Sequence, residues 1–88
     1  MMTMNPLTPT SRLIYEKLCR KYRRRLRGGV PEKDASVIKN LDKIAQEANL
    51  SENEMTSCVT ELRDGNLIDV IWWADDIAAI VHLTDEFL

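Results

Sequence analysis

The stretch LSENEM, residues 50–55, constrains the fold of this chain more than any other segment. It has the spacing of a capping box, in which the Ser51 hydroxyl accepts from the backbone N–H of Glu54 and the Glu54 carboxylate accepts from the backbone N–H of Ser51. Leu50 and Met55 stand at the two positions of a hydrophobic staple. The pattern predicts that a helix begins immediately after Ser51.

This helix is predicted to end at Asp64-Gly65, because Gly is common at helix C-termini. Its core face consists of four residues at helical spacing: Met55, Cys58, Val59 and Leu62. The preceding helix is predicted to end at Ala48, which leaves a short turn where Asn49 can adopt the left-handed conformation. Two helices joined this tightly cross at a steep angle, as in a helix-turn-helix unit.

A first helix is indicated by Thr8 and Pro9, an N-cap followed by proline at the first helical position. Apolar and aromatic residues then lie on one helical face: Ile14, Tyr15, Leu18, Tyr22 and Leu26. The pair Gly28-Gly29 ends this helix, since Gly accepts the left-handed conformation that a C-terminus often needs. Residues 28–33 are predicted to form a loop.

The start of the middle helix stays open between two alternatives. Four residues are spaced as one apolar helical face: Val37, Leu41, Ile44 and Ala48. This spacing allows a helix that begins at Asp34. Alternatively, residues 36–39 form a short strand and Asn40 caps a shorter helix.

The hydrophobic pattern changes after Gly65. Residues 67–73 and 77–83 are rich in β-branched and aromatic residues, which favour strands. The segment between them is short enough for a hairpin. The predicted order is helix, helix, tight turn, helix, hairpin, which is an α+β fold.

Two adjacent tryptophans, Trp72 and Trp73, fall in the first of these strands, so their side chains point to opposite faces. One of them is expected to enter the core. The other is either half-covered or exposed at an interface with a partner, where large aromatic side chains are enriched.

Eighty-eight residues, 44% hydrophobic and 30% charged, fit one small globular domain. We assign residues 1–9 to an N-terminal arm, 10–85 to the domain and 86–88 to a tail. No apolar run approaches the roughly 20 residues of a membrane span, and the N-terminus lacks the pattern of a signal peptide. We therefore expect a cytoplasmic protein without membrane contact. Cys19 and Cys58 agree with this, because they have the spacing of neither a disulfide framework nor a zinc site.

The charge is unevenly distributed along the chain. Residues 1–33 contain nine Lys and Arg against two acids, a net +7, whereas residues 34–88 contain three against twelve, a net −9. Such asymmetry indicates a polyanionic partner or contact between complementary surfaces.

Six of the twelve Lys and Arg lie in the run CRKYRRRLRGG, residues 19–29. Five basic residues of the first helix share one side: Lys17, Arg20, Lys21, Arg24 and Arg27. Three interpretations of this side remain: a solvated face that complements the helix dipole, a phosphate contact, or a docking surface for an acidic protein.

The segment NLDKIAQEANLSENEMTSCVTELRDGNLIDV, residues 40–70, resembles the winged helix-turn-helix domain of prokaryotic transcription regulators. The similarity consists of a Leu-x-x-Ile-Ala helix, a Leu-Ser turn, a helix ending in Leu, a Gly, and Leu-Ile into the wing. These positions are Leu41, Ile44, Ala45, Leu50, Ser51, Leu62, Gly65, Leu67 and Ile68. The resemblance covers about residues 10–85 and implies three main helices plus a two-stranded antiparallel wing.

The resemblance implies a small transcriptional regulator that binds duplex DNA, with the third helix in the major groove and the wing on the backbone or minor groove. The implied contacts on the third helix are Asn53, Thr56, Ser57, Thr60 and Arg63. The expected backbone contacts on the first helix are Arg20, Arg24 and Arg27.

The chain departs from the family pattern in its acids. Ser57, Thr60 and Glu61 stand where DNA-binding members often carry Arg or Lys, and residues 75–76 place two Asp at the wing tip. Carboxylates oppose phosphate attraction. A second hypothesis is therefore a protein-interaction module that uses the acidic third helix and the wing, without DNA binding.

Catalytic and cofactor motifs are missing from the sequence: there is no Gly-rich phosphate loop, nucleophile elbow or H-E-x-x-H. His82 has no companion with metal-ligand spacing. We expect no enzyme activity, no metal and no cofactor. We do expect a homodimer through the sheet or the first helix, in which Trp72 or Trp73 adds apolar area.

Overall fold

A computed structural model describes residues 8–73 and 76–83, and for residues 72, 73 and 76 it describes the backbone alone. Within these ranges the elements are α1 (Pro9–Arg27), α2 (Glu32–Ala35), β1 (Val37–Ile38), α3 (Leu41–Glu47), α4 (Glu52–Asp64), β2 (Ile68–Trp73) and β3 (Asp76–Val81). Across the same ranges, no helix combines the length and apolar character that crossing a membrane requires.

The three strands form one antiparallel sheet in the order β1-β3-β2. The predicted hairpin is present, with Ile68 of β2 opposite Val81 of β3. The strand β1 adds a third member, because Val37 pairs with Ile80 on the other side of β3. The fold is therefore α+β, as predicted, and its helices and sheet are compatible with a winged helix.

Of the two alternatives for residues 34–40, the short strand is correct and the helix beginning at Asp34 is wrong. Asn40 takes the N-cap position of α3, as that alternative predicts, but its φ of 59° is left-handed and its side chain makes no capping hydrogen bond. The loop predicted for residues 28–33 contains the start of α2. Pro31 is the N-cap of this turn of helix, and its carbonyl accepts from the backbone N–H of Ala35 at 2.8 Å.

The helix α1 begins and ends as its sequence predicts. The Thr8 hydroxyl accepts from the backbone N–H of Ser11 at 3.3 Å. At the other end Gly29 has a φ of 91°, and the N–H of Val30 donates to the carbonyl of Arg25 at 3.0 Å. This is a Schellman motif, in which the left-handed residue lets the chain satisfy the last helical carbonyls.

The helices α3 and α4 end in the same motif with asparagine at the left-handed position. Asn49, as expected, has a φ of 58°, and Asn66 has a φ of 60°. The helix α4 ends at Asp64 with Gly65 as its C-cap, as predicted, but Gly65 has an ordinary φ of −83°. The left-handed conformation at this end of α4 is therefore adopted by Asn66.

The core lies between the helices and one face of the sheet. The predicted faces of α1 and α4 are buried there, apart from Leu26, which is 36% exposed because Tyr22 is the last residue of α1 that reaches the core. Cys19 and Cys58 are buried free thiols. Burial raises the pKa of the Cys19 thiol, which keeps it protonated and unreactive at neutral pH.

Two polar contacts fix α1 against the sheet. The Tyr15 hydroxyl donates to the backbone carbonyl of His82, just after β3. The Arg25 guanidinium donates to the carbonyl of Val37 in β1 at 2.8 Å. Arg25 is thus a structural member of the arginine run.

The capping box of α4 is present in full. The Ser51 hydroxyl accepts from the N–H of Glu54 at 3.2 Å, and the Glu54 carboxylate accepts from the N–H of Ser51 at 2.9 Å. Hydrogen bonds from Ser51 lower the pKa of Glu54. The contribution of the Glu54 carboxylate is therefore fully present above the unfolded pKa of about 4.3 and is lost as the pH falls through its lower folded value.

Replacing Ser51 by Ala should cost about 1 kcal/mol of unfolding free energy, because the N–H of Glu54 loses its acceptor. The check is the denaturant midpoint. Ser57→Ala in the same helix is the matched control, since Ser57 is exposed and no described contact depends on its hydroxyl. If the two variants unfold at the same midpoint, the capping box contributes nothing to stability.

Candidate nucleic-acid interface

The side of α1 that faces away from the core carries a row of cations. Burial of Ile14, Leu18 and Tyr22 fixes the rotation of the helix. Helical spacing then places four basic residues together on the outward side: Lys17, Arg20, Lys21 and Arg24. The charged surface therefore follows directly from the hydrophobic pattern of α1.

These four side chains form one wall of an open groove of about 400 Å³ between α1 and α3, which we call the basic groove. The α3 wall consists of Lys43, Ile44 and Glu47. Five cations thus surround the groove, opposed by the single carboxylate of Glu47. None of the five forms an ion pair with any carboxylate in the described ranges.

Glu47 lies in the last turn of α3, which contains no basic residue. A carboxylate at a helix C-terminus interacts unfavourably with the helix dipole. Glu47 is exposed and has no described side-chain contact that offsets this. The negative charge of Glu47 therefore lowers the positive potential of the groove, and its side chain contributes little to the stability of the fold.

The structure places two of the three predicted α1 contacts in the basic groove. Arg20 and Arg24 line it, whereas Arg27 is exposed and lies outside it. Lys17 and Lys21 share the helical side of these arginines, so the sequence contains the signal for them. Lys43 has no such signal, because it reaches the groove only through the packing of α3 beside α1.

The five residues predicted on the reading helix are all exposed on α4, and none of them lines the basic groove. Two of them have partners within α4. The Thr56 hydroxyl donates to the carbonyl of Glu52 at 2.9 Å, and the Arg63 guanidinium lies 3.7 Å from the Asp64 carboxylate. Asn53, Ser57 and Thr60 present neutral polar side chains to solvent.

Glu61 has a structural contact that its place on α4 did not predict. Its carboxylate accepts from the backbone N–H of Thr8 at 2.7 Å and from the Thr8 hydroxyl at 3.4 Å. Glu61 thereby joins the last turn of α4 to the N-terminus of α1. In sequence, Glu61 lies among the exposed α4 residues that were predicted to face DNA. Its carboxylate instead hydrogen-bonds to Thr8.

The side chains of Trp72 and Trp73 and the acidic wing tip lie outside the described residues, so the predicted interface there stays a prediction. His82 follows β3, and its Nε2 lies 2.8 Å from the Asp69 carboxylate. In the described part of the chain, no cluster of His, Cys, Asp and Glu has the arrangement of a metal site.

The described surface therefore presents two chemically different faces that share no residue. One is the basic groove between α1 and α3, and the other is the polar face of α4, where neutral side chains stand among exposed charged ones. Comparison with protein-family models, with curated proteins and with solved structures gives no match.

Proposed function

We propose that this protein binds duplex DNA, with the basic groove on the phosphate backbone and the polar face of α4 toward the bases. The observation that carries the proposal is the convergence around one groove of five cations that have no ion-pair partner among the described residues. Cations left without partners attract phosphates and release their counterions, which is the main source of non-specific DNA affinity. Sequence specificity cannot come from such contacts.

The α4 face has the chemistry that base recognition requires. Asn can hydrogen-bond to adenine, and Ser and Thr hydroxyls can bond to several base edges. Three carboxylates of α4 have protein partners, namely Glu54, Glu61 and Asp64. Glu54 and Glu61 keep their negative charge, because their donors are neutral, so in this proposal the groove supplies the attraction for phosphate.

Binding of a short fluorescently labelled duplex, followed by anisotropy at roughly 50 and 200 mM salt, tests the proposal. We expect the affinity to fall with salt at a logarithmic slope between about −2.7 and −4.5, as three to five phosphate contacts would give. A duplex of unrelated sequence serves to separate backbone from base recognition. No binding at the lower salt concentration would refute the proposed function.

A further inference from the structure

We propose that the basic groove is a two-walled site for a linear run of phosphates, the backbone of one nucleic-acid strand. The cations of α1 form one wall and Lys43 of α3 contributes from the other. The identity of the strand rests on the proposed function. Beyond that function, the phosphate contacts belong to a defined site that includes α3 and excludes the rest of the basic surface.

The length of the α1 wall fits a short run of phosphates. From Lys17 to Arg24 the helix rises about 10 Å, at about 1.5 Å per residue. Each strand of a duplex presents one phosphate per about 3.4 Å of axis. A wall parallel to the duplex axis would therefore span about three consecutive phosphates, and two of its four cations are guanidinium groups, which bind phosphate in a bidentate manner.

The second wall distinguishes this groove from a flat charged patch. Lys43 is exposed on α3, so its ammonium group faces a strand held against α1 from another direction. Ile44 beside it is only 4% exposed and adds an apolar part to the lining. Clefts with charges of one sign and apolar walls concentrate the electrostatic potential. Removing the charge of Lys43 should therefore reduce the affinity for duplex DNA more than removing an equal charge elsewhere.

Matched single-charge variants test this difference. Lys43→Gln removes a groove cation, and Lys33→Gln removes an exposed cation of α2 that does not line the groove. With the labelled duplex, Lys43→Gln should reduce the salt slope by about 0.9 and the affinity by up to about fivefold. Lys33→Gln should leave the slope unchanged. Equal effects of the two variants would overturn the groove assignment and leave DNA binding itself intact.

Glu47 supplies a test in the opposite direction. Because its carboxylate repels phosphate inside the groove, Glu47→Gln should increase affinity roughly twofold to fivefold. Asp34→Asn, which neutralises an exposed acid of α2, is the control and should change affinity much less. Neither substitution removes a described side-chain contact, so both proteins should fold. Equal increases from the two variants would contradict a site at the groove.

Inorganic tripolyphosphate, which has neither base nor sugar, separates this inference from the proposed function. In titrations followed by amide chemical shifts, it should perturb residues of the α1 and α3 walls and bind more weakly to Lys43→Gln than to Lys33→Gln. If the parent protein fails to bind duplex DNA, the proposed function falls, and this result then decides the groove. Tripolyphosphate that binds all variants equally, or perturbs other surfaces, would overturn the two-walled site.

Discussion

Replacing Leu18 by Ala should lower the free energy of unfolding by about 2 to 5 kcal/mol. Leu18 is 1% exposed in the middle of α1. Its truncation loses buried apolar contacts and leaves a cavity between close-packed neighbours. A domain of this size is stable by only about 5 to 10 kcal/mol, so this one substitution should remove a large part of its stability.

Leu13→Ala provides the control on the same helix. Leu13 is 44% exposed, so the identical truncation should cost less than about 1 kcal/mol. Denaturant unfolding gives both values, with the slope unchanged if only the native packing has altered. Equal losses at the two positions would mean that α1 is rotated relative to the core. The orientation of the basic groove would then be wrong as well.

The helix α4 could be predicted almost completely because its determinants are local. The capping box and the core face lie within residues 51–62, and each works through neighbours in the chain. The end of the helix is also as predicted, at Asp64 with Gly65 as its C-cap, but the left-handed residue lies one position later. The sequence favours Gly for that conformation, but Asn66 adopts it.

The segment between α2 and α3 shows where periodicity is insufficient. Val37, Leu41 and Ile44 are spaced as a continuous helical face, and the same residues also fit a strand followed by a helix. The pairing of Val37 with Ile80 selects the strand. That pairing joins residues far apart in sequence, so no local pattern reveals it. The prediction that Leu26 belongs to the buried face of α1 is wrong for a related reason, since helical spacing does not show where the core ends.

The candidate site divides in the same way. The α1 wall follows from the spacing of its cations, but Lys43 and Glu47 enter the groove only through tertiary packing. The hydrogen bond between Glu61 and Thr8 is also non-local, because 53 positions separate the two residues. The donors in that contact are neutral, so Glu61 keeps its negative charge, and α4 still presents carboxylates that oppose a DNA backbone.

The largest expected effect on binding comes from the centre of the α1 wall. The double variant Arg20→Gln/Arg24→Gln should weaken duplex binding roughly tenfold at low salt and reduce the salt slope by up to about 1.8, the loss of two phosphate contacts. Gln has a helix propensity close to that of Arg, and both side chains are exposed. The helix should therefore keep its stability, which a thermal unfolding curve can verify.

The matched control is the double variant Arg23→Gln/Lys33→Gln, which removes the same charge from residues outside the groove. A protein that attracts DNA only through its overall positive field would lose similar affinity in both double variants, because the field depends on charge more than on position. A site that holds phosphates between α1 and α3 would lose its slope in the first variant and keep it in the second. Similar slopes in the two variants would thus reject the basic groove as the phosphate contact, even if the parent protein binds DNA.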